Sequence, residues 1–117
     1  LINPVDISSE ARDLILKHHD IDGLKYLMEQ LRKLMDNTCS TDFVIYIHCA
    51  AGKDRTGEAS ACYLMQYKNY SYHDAIALDQ KIAGRGLKAL SMNAIRWYAF
   101  YLRDILHFST IGKIDGQ

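Results

Sequence analysis

The chain has 117 residues, 49% of them apolar, with one proline and seven glycines, which fits one globular domain and excludes disordered and collagen-like chains. Fourteen Lys and Arg balance fourteen Asp and Glu, so the summed charge exerts no long-range pull on nucleic acid or an anionic membrane, and any anion site has to be local. No apolar run approaches the roughly 18 residues of a membrane span, and the opening LINPVDISSE lacks the basic and apolar regions of a signal peptide.

The three cysteines, Cys39, Cys49 and Cys62, are odd in number and lack CxxC spacing. Neither a disulfide framework nor a zinc ribbon is indicated, and a reducing, cytoplasmic compartment is expected; secretion as an effector stays open.

In chain order, Ser8 or Ser9 is expected to cap a short helix through about Lys17, with Ala11, Leu14 and Ile15 on one face. From Asp22 the residues Leu24, Leu27, Met28, Leu31, Leu34 and Met35 fall at helical spacing, and the pattern stops near Asn37. Phe43 to Ile47, FVIYI, is a continuous β-branched and aromatic run, as expected of a parallel strand covered on both faces. Helical character resumes at Gly57 and runs to Asn69. Ser71-Tyr72-His73-Asp74 resembles a capping box, opening a helix with Ala75, Ile76, Leu78 and Ile82 that stops at Gly84-Arg85-Gly86. Ser91 opens a last helix whose buried stripe is Ile95, Tyr98, Ala99, Leu102, Ile105 and Leu106, and residues 109–117 read as a frayed tail. The fold class expected is therefore α/β. One strand covered on both faces needs flanking strands, and the chain offers none. It also begins without Met, so residues 1–117 are expected to be one partial domain, completed by upstream strands of the same domain.

Between the expected strand and the next helix stands His48-Cys49-Ala50-Ala51-Gly52-Lys53-Asp54-Arg55-Thr56-Gly57. At average residue usage, His-Cys-x-x-Gly-x-x-Arg-[Ser/Thr] arises by chance in such a chain with odds on the order of 10⁻⁵. A loop entering a helix N-terminus turns several backbone N–H groups into one concavity, a place for an anion. Ala50, Ala51 and Gly52 leave the backbone open to phosphate oxygens, and Arg55 supplies a planar charged fork for two of them. Cys49 at the mouth of that nest would have its thiolate stabilised by the same field, and Thr56 can donate its hydroxyl to the sulfur as it leaves. A nucleotide P-loop is excluded, because Gly52-Lys53 is followed by Asp54 and Ile47 stands where the first Gly should be.

HCAAGKDRTG resembles the phosphate-binding loop of the cysteine-dependent protein tyrosine phosphatase superfamily, including its dual-specificity and phosphoinositide branches. SYHDAIALDQKIAG and SMNAIRWYAFYLRDIL are similar to the two helices that follow that loop. The resemblance implies hydrolysis of a phosphomonoester through a phosphocysteine, with no metal or cofactor. Cys49 would be the nucleophile, Arg55 the phosphate clamp, Thr56 the helper of the leaving thiolate and His48 a residue that organises the loop. The family's Trp-Pro-Asp acid is missing: Asp54, inside the loop, is the favoured proton donor, with Asp20 and Asp22 as alternatives that could equally cap a helix. A water-positioning Gln is also missing, and Asn93, beside Met92, is the one residue of that region that could replace it. A phosphorylated protein is the substrate expected, with a phosphoinositide or inositol polyphosphate as the alternative that Lys53 suggests, and a phosphate-binding module without activity as an alternative of another class. The bland readings make Cys49 a buried thiol, Asp54 a structural partner of the loop and Lys53 a solvated charge. Cys39 and Cys62 read as inert, the other histidines as surface or satisfied groups, and the aromatic residues from Tyr63 to Tyr101 as core instead of a nucleic-acid platform.

Overall fold

The computed structural model describes residues 2–37, 54–83 and 88–117. Helix α1 (Ser9–His18) starts where Ser8 accepts the Ala11 N–H at 3.2 Å, so Ser8 is the cap and Ser9 the first helical residue. The inward face differs from the one expected. Arg12 and Leu16 are buried, whereas Ala11 is exposed and Leu14 is 61% exposed. A guanidinium can take an inward position when it lies flat on an aromatic ring and finds an acceptor. Arg12 does both, 3.9 Å from the Phe100 ring centroid and donating to the Pro4 carbonyl at 3.0 Å.

The corner between α1 and α2 (Leu24–Asn37) is closed by two charged side chains working in opposite directions. Asp20 accepts the N–H groups of Lys25 (2.9 Å) and Tyr26 (3.1 Å) at the start of α2. Lys25 donates back to the carbonyls of Leu16 (2.8 Å) and His19 (2.9 Å) at the end of α1, and its ammonium lies 4.3 Å over the Tyr101 ring. Each charge meets the helix end whose partial charge it complements. Burial lowers the Lys25 pKa, against the opposing pull of Asp20. Asp22 and Gly23 turn the chain with φ of 59° and 68°. Along α2, Leu24, Met28 and Leu31 are buried as the spacing predicts, while Leu34 reaches solvent.

Helix α3 (Asp54–Tyr67) begins three residues before the expected Gly57 and ends two before Asn69. Asn69, at φ 60°, closes it, with the Tyr70 N–H reaching back to the Leu64 carbonyl at 3.1 Å. Ala59, Ala61, Cys62 and Met65 are fully buried. Helix α4 (Tyr72–Ala83) is capped by Ser71 as expected, its hydroxyl accepting the Asp74 N–H at 3.1 Å. Its inward face is Tyr72, Ala75, Ile76 and Asp79, with Leu78 half-buried, while Ile82 is 75% exposed. Helix α5 (Ala89–Phe100) starts two residues before Ser91 and buries residues on most of its circumference, from Ser91 through Phe100. It runs into one wide π-turn, Tyr101–Ile105, closed by Leu106 N–H to the Tyr101 carbonyl at 3.1 Å. That turn breaks the 3.6-residue period, and Leu106 comes out at the surface instead of in the stripe.

α3 packs against both α4 and α5. Two side-chain contacts fix its direction relative to α5. Ser91 meets Glu58 near the two starts, and the Tyr98 hydroxyl donates to the Gln66 amide oxygen near the two ends, so α3 and α5 run parallel. Short residues on the facing stripes, Ala59 and Ala61 on one helix and Ala94 on the other, suit that close packing.

Two expectations are corrected. Every regular element among the described residues is helical and no strand occurs among them, so the α/β class with a central parallel strand gives way to an all-helical architecture. The physical reason is that the apolar faces of α3, α4 and α5 are covered by one another and by the turns flanking them. The segment read as that strand, 43–47, lies outside the described residues. The tail is also not frayed: Ile111 and Ile114 are fully buried, and the Tyr72 N–H donates to the Ile111 carbonyl at 3.0 Å. Asp115 accepts from the Tyr72 hydroxyl at 3.1 Å and pairs with Arg96. Burial, then the Asp115 charge, push the Tyr72 phenol up to about 12, so it remains a donor. Among the described residues no helix is long and apolar enough to cross a membrane.

Truncating Ile111 to Ala should lower stability by roughly 2–4 kcal/mol in chemical denaturation; a frayed tail would show no loss. Asp79, 6% exposed, has an Oδ2 with no hydrogen-bond partner among the described residues, and desolvation raises its carboxyl from 3.8 to about 6. A folded-state pKa above the unfolded one means that stability falls as pH rises between the two, with the full penalty present above the folded value. Asp79→Asn should therefore stabilise the protein at pH 7.5, by roughly 3 kcal/mol at most, and change little near pH 4, read as melting temperature against pH.

Candidate active site

The predicted site lies where α3 begins. His48, Cys49, Ala50, Ala51, Gly52 and Lys53 lie outside the described residues. Asp54 and Arg55 are the first two residues of α3, and Thr56, half-buried, is the third. The first four N–H groups of a helix have no intrahelical partner, and the aligned peptide dipoles leave partial positive charge there. The segment 48–57 thus leads into an end suited to an anion. Gly57 follows, buried, with Glu58 and Ala59 beneath it.

The parallel course of α3 and α5 brings a second helix start to the same end of the bundle. Ser91, 5% exposed, stands 3.5 Å from the Glu58 carboxylate, and Glu58 is 6% exposed. Met92 and Asn93 follow Ser91 directly on α5, Met92 ending its first turn and Asn93 opening the second. The Asn93 amide oxygen accepts from Arg96 at 2.8 Å.

The alternative acids sit elsewhere. Both oxygens of Asp20 accept backbone N–H groups of α2, the capping role that the sequence allowed, and Asp22 belongs to the adjoining turn. That corner adjoins Tyr101 through Lys25, at the far end of α5. From Ser91 to Tyr101 is about 15 Å of helix axis at 1.5 Å per residue. Asp20 and Asp22 are thus separated from the start of α3 by most of the length of the bundle, while Asp54 is part of that start.

Glu58 and Ser91 were not read as site residues from sequence. A signal was present for the first: Glu58 interrupts the otherwise apolar stripe of Ala59, Ala61, Cys62 and Met65 in α3. Ser91 carried none, because a serine near a helix start reads as a cap and its burial depends on the neighbouring helix.

Neither a curated protein nor a solved structure matches the chain. The family model of the dual specificity phosphatase catalytic domain matches residues 7–92, from the turn before α1 to the first turn of α5, and takes in the whole of the Cys49 to Thr56 loop. With most of its length matched, the chain belongs to the dual specificity phosphatase catalytic domain family.

Proposed function

We propose that the chain hydrolyses phosphomonoesters through a phosphocysteine on Cys49, acting on phosphotyrosine and on phosphoserine and phosphothreonine in proteins. The observation that carries the reading is the unbroken run from His48-Cys49 through Arg55-Thr56 into the N-terminus of α3. In the first step the Cys49 thiolate attacks phosphorus, the P–O bond to the leaving group breaks, and Asp54 gives its proton to the departing oxygen. Backbone N–H groups of 50–55 and the Arg55 fork hold the three non-bridging oxygens. In the second step water attacks phosphorus, the P–S bond breaks, Asp54 takes the water's proton, and Thr56 donates to the departing thiolate. His48 organises the loop from behind. The far placement of Asp20 and Asp22 supports Asp54 as the acid.

Cys49→Ser and Arg55→Ala should each lower aryl phosphate turnover by about three orders of magnitude or more, in a metal-free assay that orthovanadate blocks. Retained turnover in Cys49→Ser would end the reading. Asp54→Asn should slow substrates with poor leaving groups by about 10²–10⁴ and activated aryl phosphates far less. Asp20→Ala should instead cost roughly 1 kcal/mol of stability, as loss of a helix cap, with no dependence on leaving group. An Asp20 variant with the leaving-group signature would move the acid to the α1–α2 corner. A phosphoinositide substrate, which Lys53 favours by adding charge at the loop, predicts that lipid turnover exceeds phosphopeptide turnover and that Lys53→Ala removes the preference.

A further inference from the structure

Among the described side chains of α3, Glu58 is the one charged group that is buried. Taking a carboxylate out of water costs several kcal/mol, and an apolar residue would extend the stripe without that cost, so packing alone does not account for an acid there. Its location does. Glu58 follows Arg55 by three residues and Thr56 by two, which places it within one turn of both on the same helix. Its Oε2 accepts from Ser91 of the parallel helix at 3.5 Å, and both side chains are more than nine-tenths buried. The contact ties the second turn of α3 to the first turn of α5, next to the turn that carries the clamp.

We propose that Glu58, held by Ser91, is a positioning residue that fixes the first turn of α3, and with it Arg55 and Thr56, for binding the phosphate. The proposal rests on the reading of 48–57 as the phosphate site. Glu58 acts through the helix and not on the phosphate itself. An anion site made of backbone N–H groups and one guanidinium depends on their mutual placement, and a displacement of about 1 Å in a positioned group can cost up to about 100-fold. The hydrogen bond is long, so Ser91 contributes less than the carboxylate that it steadies.

The test is binding of inorganic phosphate to the full-length protein, followed by calorimetry and amide chemical shifts, with melting temperature and aryl phosphate kinetics measured in parallel. Glu58→Ala should weaken phosphate binding and raise KM about tenfold, and Ser91→Ala about threefold. Glu58→Gln, which keeps an acceptor oxygen, should stay within about twofold of the wild type. Arg55→Ala marks the affinity of a lost site. Unchanged phosphate affinity in Glu58→Ala and Ser91→Ala, with only the melting temperature lowered, would reduce the pair to packing and overturn the proposal. So would a Gln variant as weak as the Ala variant. If Glu58→Ala does not fold, Ser91→Ala and Glu58→Gln decide the matter. Arg55-dependent phosphate binding without Cys49-dependent turnover would sink the catalytic reading alone, and the positioning role would still be read from affinity. A wild-type protein that binds no phosphate would sink both.

Discussion

The parallel packing of α3 on α5 is the constraint from which the rest of the arrangement follows. Helices joined by short connections tend to run antiparallel, and α4, which follows α3 after four residues, is placed to return along it. α5 then runs back alongside α3, so the starts of α3 and α5 meet at one end of the bundle. A helix start carries unpaired N–H groups and partial positive charge. Two such ends side by side form an environment for an anion in a chain whose net charge is zero, consistent with the composition argument that any anion site must be built locally.

The opposite end of the bundle is held by charged side chains used as ties between elements. Lys25 binds the last carbonyls of α1 and stacks on Tyr101, and Asp20 binds the first N–H groups of α2. Arg12 and Arg103 lie against the Phe100 ring, the latter also donating to the carbonyls of Gly112 and Gln117 in the tail. The bond from Arg12 to the Pro4 carbonyl is buried, so it is less screened than a surface ion pair such as Arg32–Asp36, at 3.3 Å in solvent. Asp20 is committed to this work through both of its carboxylate oxygens.

What was legible in the sequence followed from local chemistry. The caps at Ser8 and Ser71 came through because capping depends on a side chain and an N–H three residues away. The apolar face of α2 came through because its spacing is long and regular. The errors arose where a neighbour decided the outcome. Arg12 displaced Ala11 and Leu14 from the inward face because Phe100 offered its guanidinium a ring, and nothing within α1 reports that ring. The tail was read as frayed because its residues are mostly polar, and two isoleucines three apart were enough to seat it. The α/β class rested on one apolar run, 43–47, together with strands assigned to a region upstream, and the described residues form their core from helices alone. The family was legible in the motif at 48–57, which the matched region takes in; the coupling of α3 to α5 was not, since it joins residues 33 apart.

The two buried carboxylates show how unevenly the fold distributes its polar costs. Glu58 has a hydroxyl donor in Ser91, whereas one oxygen of Asp79 has no partner among the described residues and the group is pushed toward its neutral form. Both lie away from the stapled corner. Glu58 sits in the second turn of α3, and Asp79 is in the second half of α4, on the return course toward the start of α3. The end that holds Asp20, Lys25 and Tyr101 has its charges matched to helix ends and rings, whereas Asp79 carries a carboxyl that desolvation pushes toward its neutral form. That asymmetry is what a fold shaped only for stability would avoid, because an apolar residue at either position would remove a desolvation cost without opening the core.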